Sequence, residues 1–184
     1  MSILQEFLTK FKEIVKQLNL PNDEIKSFNQ VGEVYAVACI KNNKLYIVYT
    51  VGSITEVPAD KVRKVWEKCI HEIGGEVVAE AHTHPAGFAI PSDTDVYTYS
   101  QVVKNNSKIG HSCVCRLNKD LSMTCTCLSR NISQELARDI ARISKTIDLF
   151  FKNKFPVEEQ VAKTIEDYFS KVFKNIDEVK VLTV

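Results

Sequence analysis

The sequence predicts an α/β domain, a mixed β-sheet flanked by helices, with a helical extension at its C-terminal end. Three observations predict it. Helical and strand-like patterns alternate over residues 1–128. Two pairs of strand-like segments are each joined by a short polar turn. From about residue 133 the periodicity is helical until a short apolar tail.

Residues 2–19 place Ile3, Leu4, Phe7, Leu8, Phe11, Ile14, Val15 and Leu18 on one helical stripe, with Ser2 as N-cap. Leu20-Pro21-Asn22-Asp23 ends that helix. Residues 33–40 and 45–51 are rich in Val, Ile and Tyr and flank Lys41-Asn42-Asn43-Lys44, which predicts a hairpin. Residues 60–73 form an amphipathic helix stopped by Gly74-Gly75, and 76–82 a strand. A helix follows over 92–106, then a second hairpin over 109–117 and 122–128. Helices over 133–152 and 157–174 and a final strand in Val179–Val184 complete the chain. The candidate boundary is Leu128-Ser129-Arg130-Asn131, so residues 1–128 form the main domain and 129–184 an extension packed on the same body.

The composition narrows the function classes. The chain has 184 residues, enough to bury roughly two thirds of its unfolded surface without a staple. Its formal charge is +1, and Glu and Asp lie between the lysines, so no basic footprint for nucleic acid is present. No apolar run reaches the roughly 18 residues of a membrane span. Met1 to Phe7 lack a basic leader and a cleavage site, so a cytoplasmic location is expected.

The chemistry concentrates in residues 80–95, Glu-Ala-His-Thr-His-Pro-Ala-Gly-Phe-Ala-Ile-Pro-Ser-Asp-Thr-Asp. His82 and His84 sit two apart at a strand end, so both imidazoles share a face. A loop with Pro85, Gly87 and Pro91 leads to Ser92, which starts a helix, and Asp95 lies in its first turn. Two nitrogens and one carboxylate oxygen leave the fourth tetrahedral position of a zinc ion for water, the mark of a catalytic site. Ser92 and Asp95 also make a good helix N-cap pair on their own account.

His-x-His, seven residues, Ser, two residues, Asp fits His82, His84, Ser92 and Asp95 without a gap. It resembles the signature of the JAMM (MPN-plus, or JAB) metalloproteases, the family of the metal-dependent deubiquitinases, whose domain is a deaminase-like layered fold. Pro85 and Pro91 match the family's neighbours of these residues. By motif the resemblance covers about 33–95, and by element order it reaches about 128. The family also uses a glutamate on an earlier strand. Among Glu33, Glu56, Glu76 and Glu80, Glu33 is preferred: Glu33-Val34-Tyr35-Ala36 looks like the family's Glu-x-x-Gly segment, with Ala36 where glycine is common. Glu56 lies in the wrong place, and Glu76 and Glu80 share the histidine strand.

The resemblance implies one catalytic zinc ion held by His82, His84 and Asp95. It implies Glu33 as general base and then acid, and Ser92 as hydrogen-bond donor to the developing oxyanion. The expected activity is hydrolysis of the peptide or isopeptide bond after the C-terminus of a ubiquitin-like or sulfur-carrier-like protein, the implied substrate partner. The alternative is an MPN-type scaffold that keeps a metal site without physiological protease activity. A zinc nucleoside deaminase fits poorly, because His-x-Glu and Cys-x-x-Cys are missing.

Six cysteines remain to be placed. Cys39 and Cys69 fall in apolar patterns and read as small core residues. Cys113, Cys115, Cys125 and Cys127 flank a turn; if 115 opposes 125, then 113 opposes 127 and all four share one face. Reduced core, disulfides and a second metal site are the three readings, the disulfides being odd in a cytoplasm unless the source is hyperthermophilic. His71 and His111 lie outside the signature and read as ordinary residues.

Overall fold

The computed structural model describes residues 1–19, 32–85, 87–106 and 108–184. The expected helix stop at Leu20–Asp23 lies outside the described residues. Helix α1 (Ile3–Asn19) starts where expected: Ser2 Oγ accepts the Gln5 N–H at 3.2 Å. Strands β1 (Val34–Lys41) and β2 (Lys44–Val51) form the first hairpin. Its turn needs two residues with positive φ, and Asn42 and Asn43 supply them at 51° and 60°.

Helix α2 (Ala59–Glu67) passes into a single π-helical stretch, Lys68–Ile73, where one continuous α-helix was expected. Gly74 closes it with φ 74°, a conformation that favours a residue without Cβ. Cys69 lies in the wider turn and is disulfide-bonded to Cys39 on β1. Both cysteines are fully buried, as their apolar patterns require, but they are a bonded pair rather than free core thiols. Thirty positions separate them, and only the packing of this turn against β1 brings them together.

Strand β3 (Glu76–Thr83), helix α3 (Asp93–Asn105) and strand β4 (His111–Leu117) follow. Strand β5 (Met123–Ser129), helices α4 (Gln134–Phe150) and α5 (Glu159–Val172), and strand β6 (Val179–Thr183) end the chain. The six strands form one sheet in the order β2-β1-β3-β4-β5-β6. Among the described residues only the β3–β4 pair is parallel, so the sheet is mixed, and the β3-to-β4 crossover carries α3.

The strand period of two sends alternate residues to two cores. One core joins Phe7, Leu8, Phe11 and Val15 of α1 to Ala36, Ala38, Ala79, Ala81 and four cysteines. The small side chains on the sheet leave room for the two phenylalanines. On this face Cys113 opposes Cys127 and Cys115 opposes Cys125, and each opposing pair is a disulfide. The other core joins Tyr35, Val37 and Val77 to residues of α2 through α5. Among the described residues no helix is long and apolar enough to cross a membrane.

Candidate metal centre and active site

His82 belongs to the last turn of the pleat of β3, and its backbone pairs with Tyr35 of β1 on one side and Val114 of β4 on the other. His84 lies just past the strand, tied to β4 by its own N–H on the Cys115 carbonyl at 2.9 Å. Both side chains therefore emerge at the carboxyl end of a central strand, beside its parallel neighbour. Asp95 arrives from the first turn of α3. Its carboxylate accepts the Ser92 N–H at 2.8 Å, and its N–H donates to Ser92 Oγ at 3.0 Å. This capping box aims the carboxylate back at the strand end.

The three ligand atoms converge. His82 Nε2 lies 3.1 Å from His84 Nε2, and Asp95 oxygens lie 3.2 Å from each imidazole. A tetrahedral zinc ion with bonds of roughly 2.0–2.1 Å would separate its ligands by about 3.3 Å, so the donor set fits the ion in chemistry and in spacing. Side-chain exposures of 15%, 19% and 23% leave the centre open on one side. His84 Nδ1 meets the Phe88 carbonyl at 2.9 Å, which favours the tautomer with hydrogen on Nδ1 and a free lone pair on Nε2.

The charges agree with a site built for a cation. Burial disfavours a charged His82, but the adjacent Asp95 outweighs it and pushes the imidazole up to about 9. Burial likewise opposes an ionised Asp95, yet His82 and His84 hold its carboxyl far below the usual carboxylate range. Two imidazoles and a carboxylate in contact thus share a proton that a bound metal would displace.

Glu33 stands immediately before β1. Its carbonyl accepts the Gly52 N–H at 2.8 Å, and its N–H donates to Ser53 at 2.7 Å. The next residue, Val34, donates its N–H to Thr83 Oγ1 at 2.9 Å, stitching this segment to the histidine strand. Burial lifts the Glu33 carboxyl above its ordinary value, while His82 and His84 pull the other way, which places it within the field of the metal residues. Glu80 faces the same core as His82 but is engaged elsewhere: Tyr35 Oη donates to it at 2.7 Å and Ser112 Oγ at 3.0 Å.

A groove of about 460 Å³ runs past the centre. Glu33, His84 and Ser92 line it beside the apolar Ile54, Phe88 and Ile90. Its far wall comes from the C-terminal segment: Ile147, Asp148, Phe155 and Pro156. None of these four carried a signal in the sequence, because no motif marks a residue whose role depends on where a helix lands. His71 and His111 are no part of the metal cluster, which is His82, His84 and Asp95 among the described residues.

Fold and site together define a class: a mixed-sheet α/β protein with a His-x-His/Asp cluster that could hold a metal ion, set where the first of its two parallel strands leads into the crossover. A family model described as prokaryotic homologs of the JAB domain matches residues 21–126, more than half of the 184-residue chain. The chain belongs to that family, which includes hydrolases and often binds zinc. None of the curated proteins compared with the chain matches it.

Proposed function

We propose that the protein is a zinc-dependent JAMM-type metallopeptidase that hydrolyses the bond after the C-terminus of a ubiquitin-like or sulfur-carrier-like protein. The observation that carries this reading is one juxtaposition. His84, whose Nε2 lies 3.1 Å from His82 Nε2 and 3.2 Å from Asp95, lines one groove with a carboxylate, Glu33, and a hydroxyl, Ser92.

Bound zinc supplies Lewis acidity that polarises a carbonyl oxygen and brings the pKa of water down to about 7. Glu33 takes the proton from the attacking water and passes it to the leaving amine. Ser92 Oγ already accepts the Asp95 N–H, so its own hydrogen is free to donate to the developing oxyanion. In this reading the groove takes the substrate's C-terminal tail as an extended chain. Residues 1–128 supply the catalytic groups, and 129–184 supply the far wall of the groove.

In the cytoplasm, the location expected from the sequence, three disulfides fit a cell whose interior favours them, as in hyperthermophiles. The decisive experiment incubates the zinc-loaded full chain with a panel of ubiquitin-like fusions, with and without a chelator. Cleavage that the chelator abolishes is the expected result. A chain that holds zinc and binds a fusion tightly without cutting any is a scaffold, and the protease reading fails.

A further inference from the structure

Residues 87–91 form neither helix nor strand, yet Phe88, Ala89 and Ile90 are buried. Buried backbone groups need partners, and an irregular segment must find them outside itself. Ala89 has one on each side. Its N–H donates to Glu166 Oε2 at 2.7 Å, and its carbonyl accepts from Thr126 Oγ1. The neighbouring Pro91 carbonyl accepts from Ser144 Oγ on α4. Glu166 belongs to α5, forty residues beyond the family match, and is only 3% exposed. Arg116, at the end of β4, completes the arrangement: its Nε donates to Glu166 Oε2 at 3.0 Å and its Nη2 to Oε1.

A buried ion pair is a poor way to gain stability, since desolvation consumes most of the attraction and an apolar pair of similar volume often serves as well. What an apolar pair cannot do is accept the Ala89 N–H. Ala89 is one residue from Phe88, whose carbonyl holds His84 Nδ1. The displacement of Ala89 therefore rotates the group that sets the tautomer and the aim of a metal ligand.

We propose that Glu166, its buried charge balanced by Arg116, is a positioning residue for the metal centre. The Glu166 side-chain oxygen, with Thr126 on the other side, clamps Ala89, and through the Phe88 carbonyl the clamp holds His84 Nε2 ready for the ion. The inference rests on the reading of His82, His84 and Asp95 as zinc ligands, and it gives the C-terminal extension a part in the site itself.

Two double variants of the full chain separate the clamp from mere packing. R116M/E166L replaces the pair with apolar side chains and removes the acceptor for Ala89. R116M/E166Q removes the same charge but keeps a carbonyl oxygen there. Zinc affinity, by competition with a chromogenic chelator, and the ring-nitrogen spectrum of His84 are read beside the melting temperature. R116M/E166L is expected to fold and to bind zinc about 10–100-fold more weakly, the usual range for groups that orient a ligand. Its His84 becomes a mixture of tautomers, while R116M/E166Q stays within a few fold of the parent and keeps hydrogen on Nδ1. A folded R116M/E166L with parental affinity and tautomer overturns the proposal, and so does an R116M/E166Q that loses as much affinity.

If R116M/E166L does not fold, T126V tests the other jaw of the clamp, since valine keeps the shape and loses the donor to Ala89. A several-fold loss of zinc affinity is expected, and parental affinity overturns the proposal. These readouts need no substrate. A parent chain that binds zinc and cleaves no fusion removes the protease reading and leaves the clamp standing.

Discussion

Ser92 and Asp95 hold each other through two reciprocal bonds, side chain to backbone in both directions, at 2.8 and 3.0 Å. The same two residues cap α3, aim a carboxylate at His82 and His84, and present a hydroxyl to the groove. One capping box thus serves folding and chemistry together. Ser92→Ala removes the cap acceptor, at a stability cost of about 1 kcal/mol. It keeps zinc, because Asp95 still has the Ser92 N–H to hold it. Its kcat falls about 10²–10³-fold if the hydroxyl stabilises an oxyanion. Zinc content and cleavage rate measured on one preparation decide this; an unchanged rate assigns Ser92 to the cap alone.

Glu33→Gln is expected to retain zinc and lose hydrolysis. The backbone bonds of residue 33 to Gly52 and Ser53 do not involve the side chain, so the segment keeps its place. A variant that cleaves at the parental rate would show that the base is another group.

His82→Ala and Asp95→Ala each remove a ligand and should abolish stoichiometric zinc, read by metal analysis of the purified protein. In the metal-free chain His82 keeps its proton up to about pH 9. Metal binding must displace that proton, so apparent affinity rises about tenfold per pH unit below this point. An affinity flat between pH 6 and 8 would contradict it.

The same groups make the metal-free fold depend on pH. The His82 contribution is fully present below its ordinary 6.5 and is lost as pH rises through about 9. The Asp95 contribution is present above its ordinary 3.8 and is lost as pH falls below it. Thermal melts in a chelator should be highest between these limits, and melts that improve steadily from pH 7 to 9 would refute the pairing.

All six cysteines are bonded, so denatured, unreduced protein should react with no thiol reagent. Opening Cys39–Cys69, a closure of 30 residues, costs about 3.6 kcal/mol in the chain-entropy account. Denaturant melts of the Cys39→Ala/Cys69→Ala variant measure it, and a shift near zero would mean that the bond adds nothing to the packing.

The clustering of His82, His84 and Asp95 was legible in the sequence because these residues are local. His82, His84, Ser92 and Asp95 fall within 14 consecutive positions, where the strand period and a capping pair already say which side chains can meet. The four-cysteine face followed equally from hairpin register, although register alone left open whether the sulfurs bond. Glu33 was harder, being about fifty residues from the histidines and reached only through the β1–β3 pairing. The fold class followed from the alternation of periods along the chain.

Tertiary structure alone decided what long-range packing brings together. Cys39 meets Cys69 through a π turn that no composition signals. Glu166 and Arg116 lie fifty positions apart and converge on a backbone amide, a partner that every residue but proline offers and that no sequence pattern marks. Residues 80–95 carry the chemical groups in their own order, since local geometry follows from local sequence. Their exact aim, and the wall they face, depend on helices that pack from the far end of the chain.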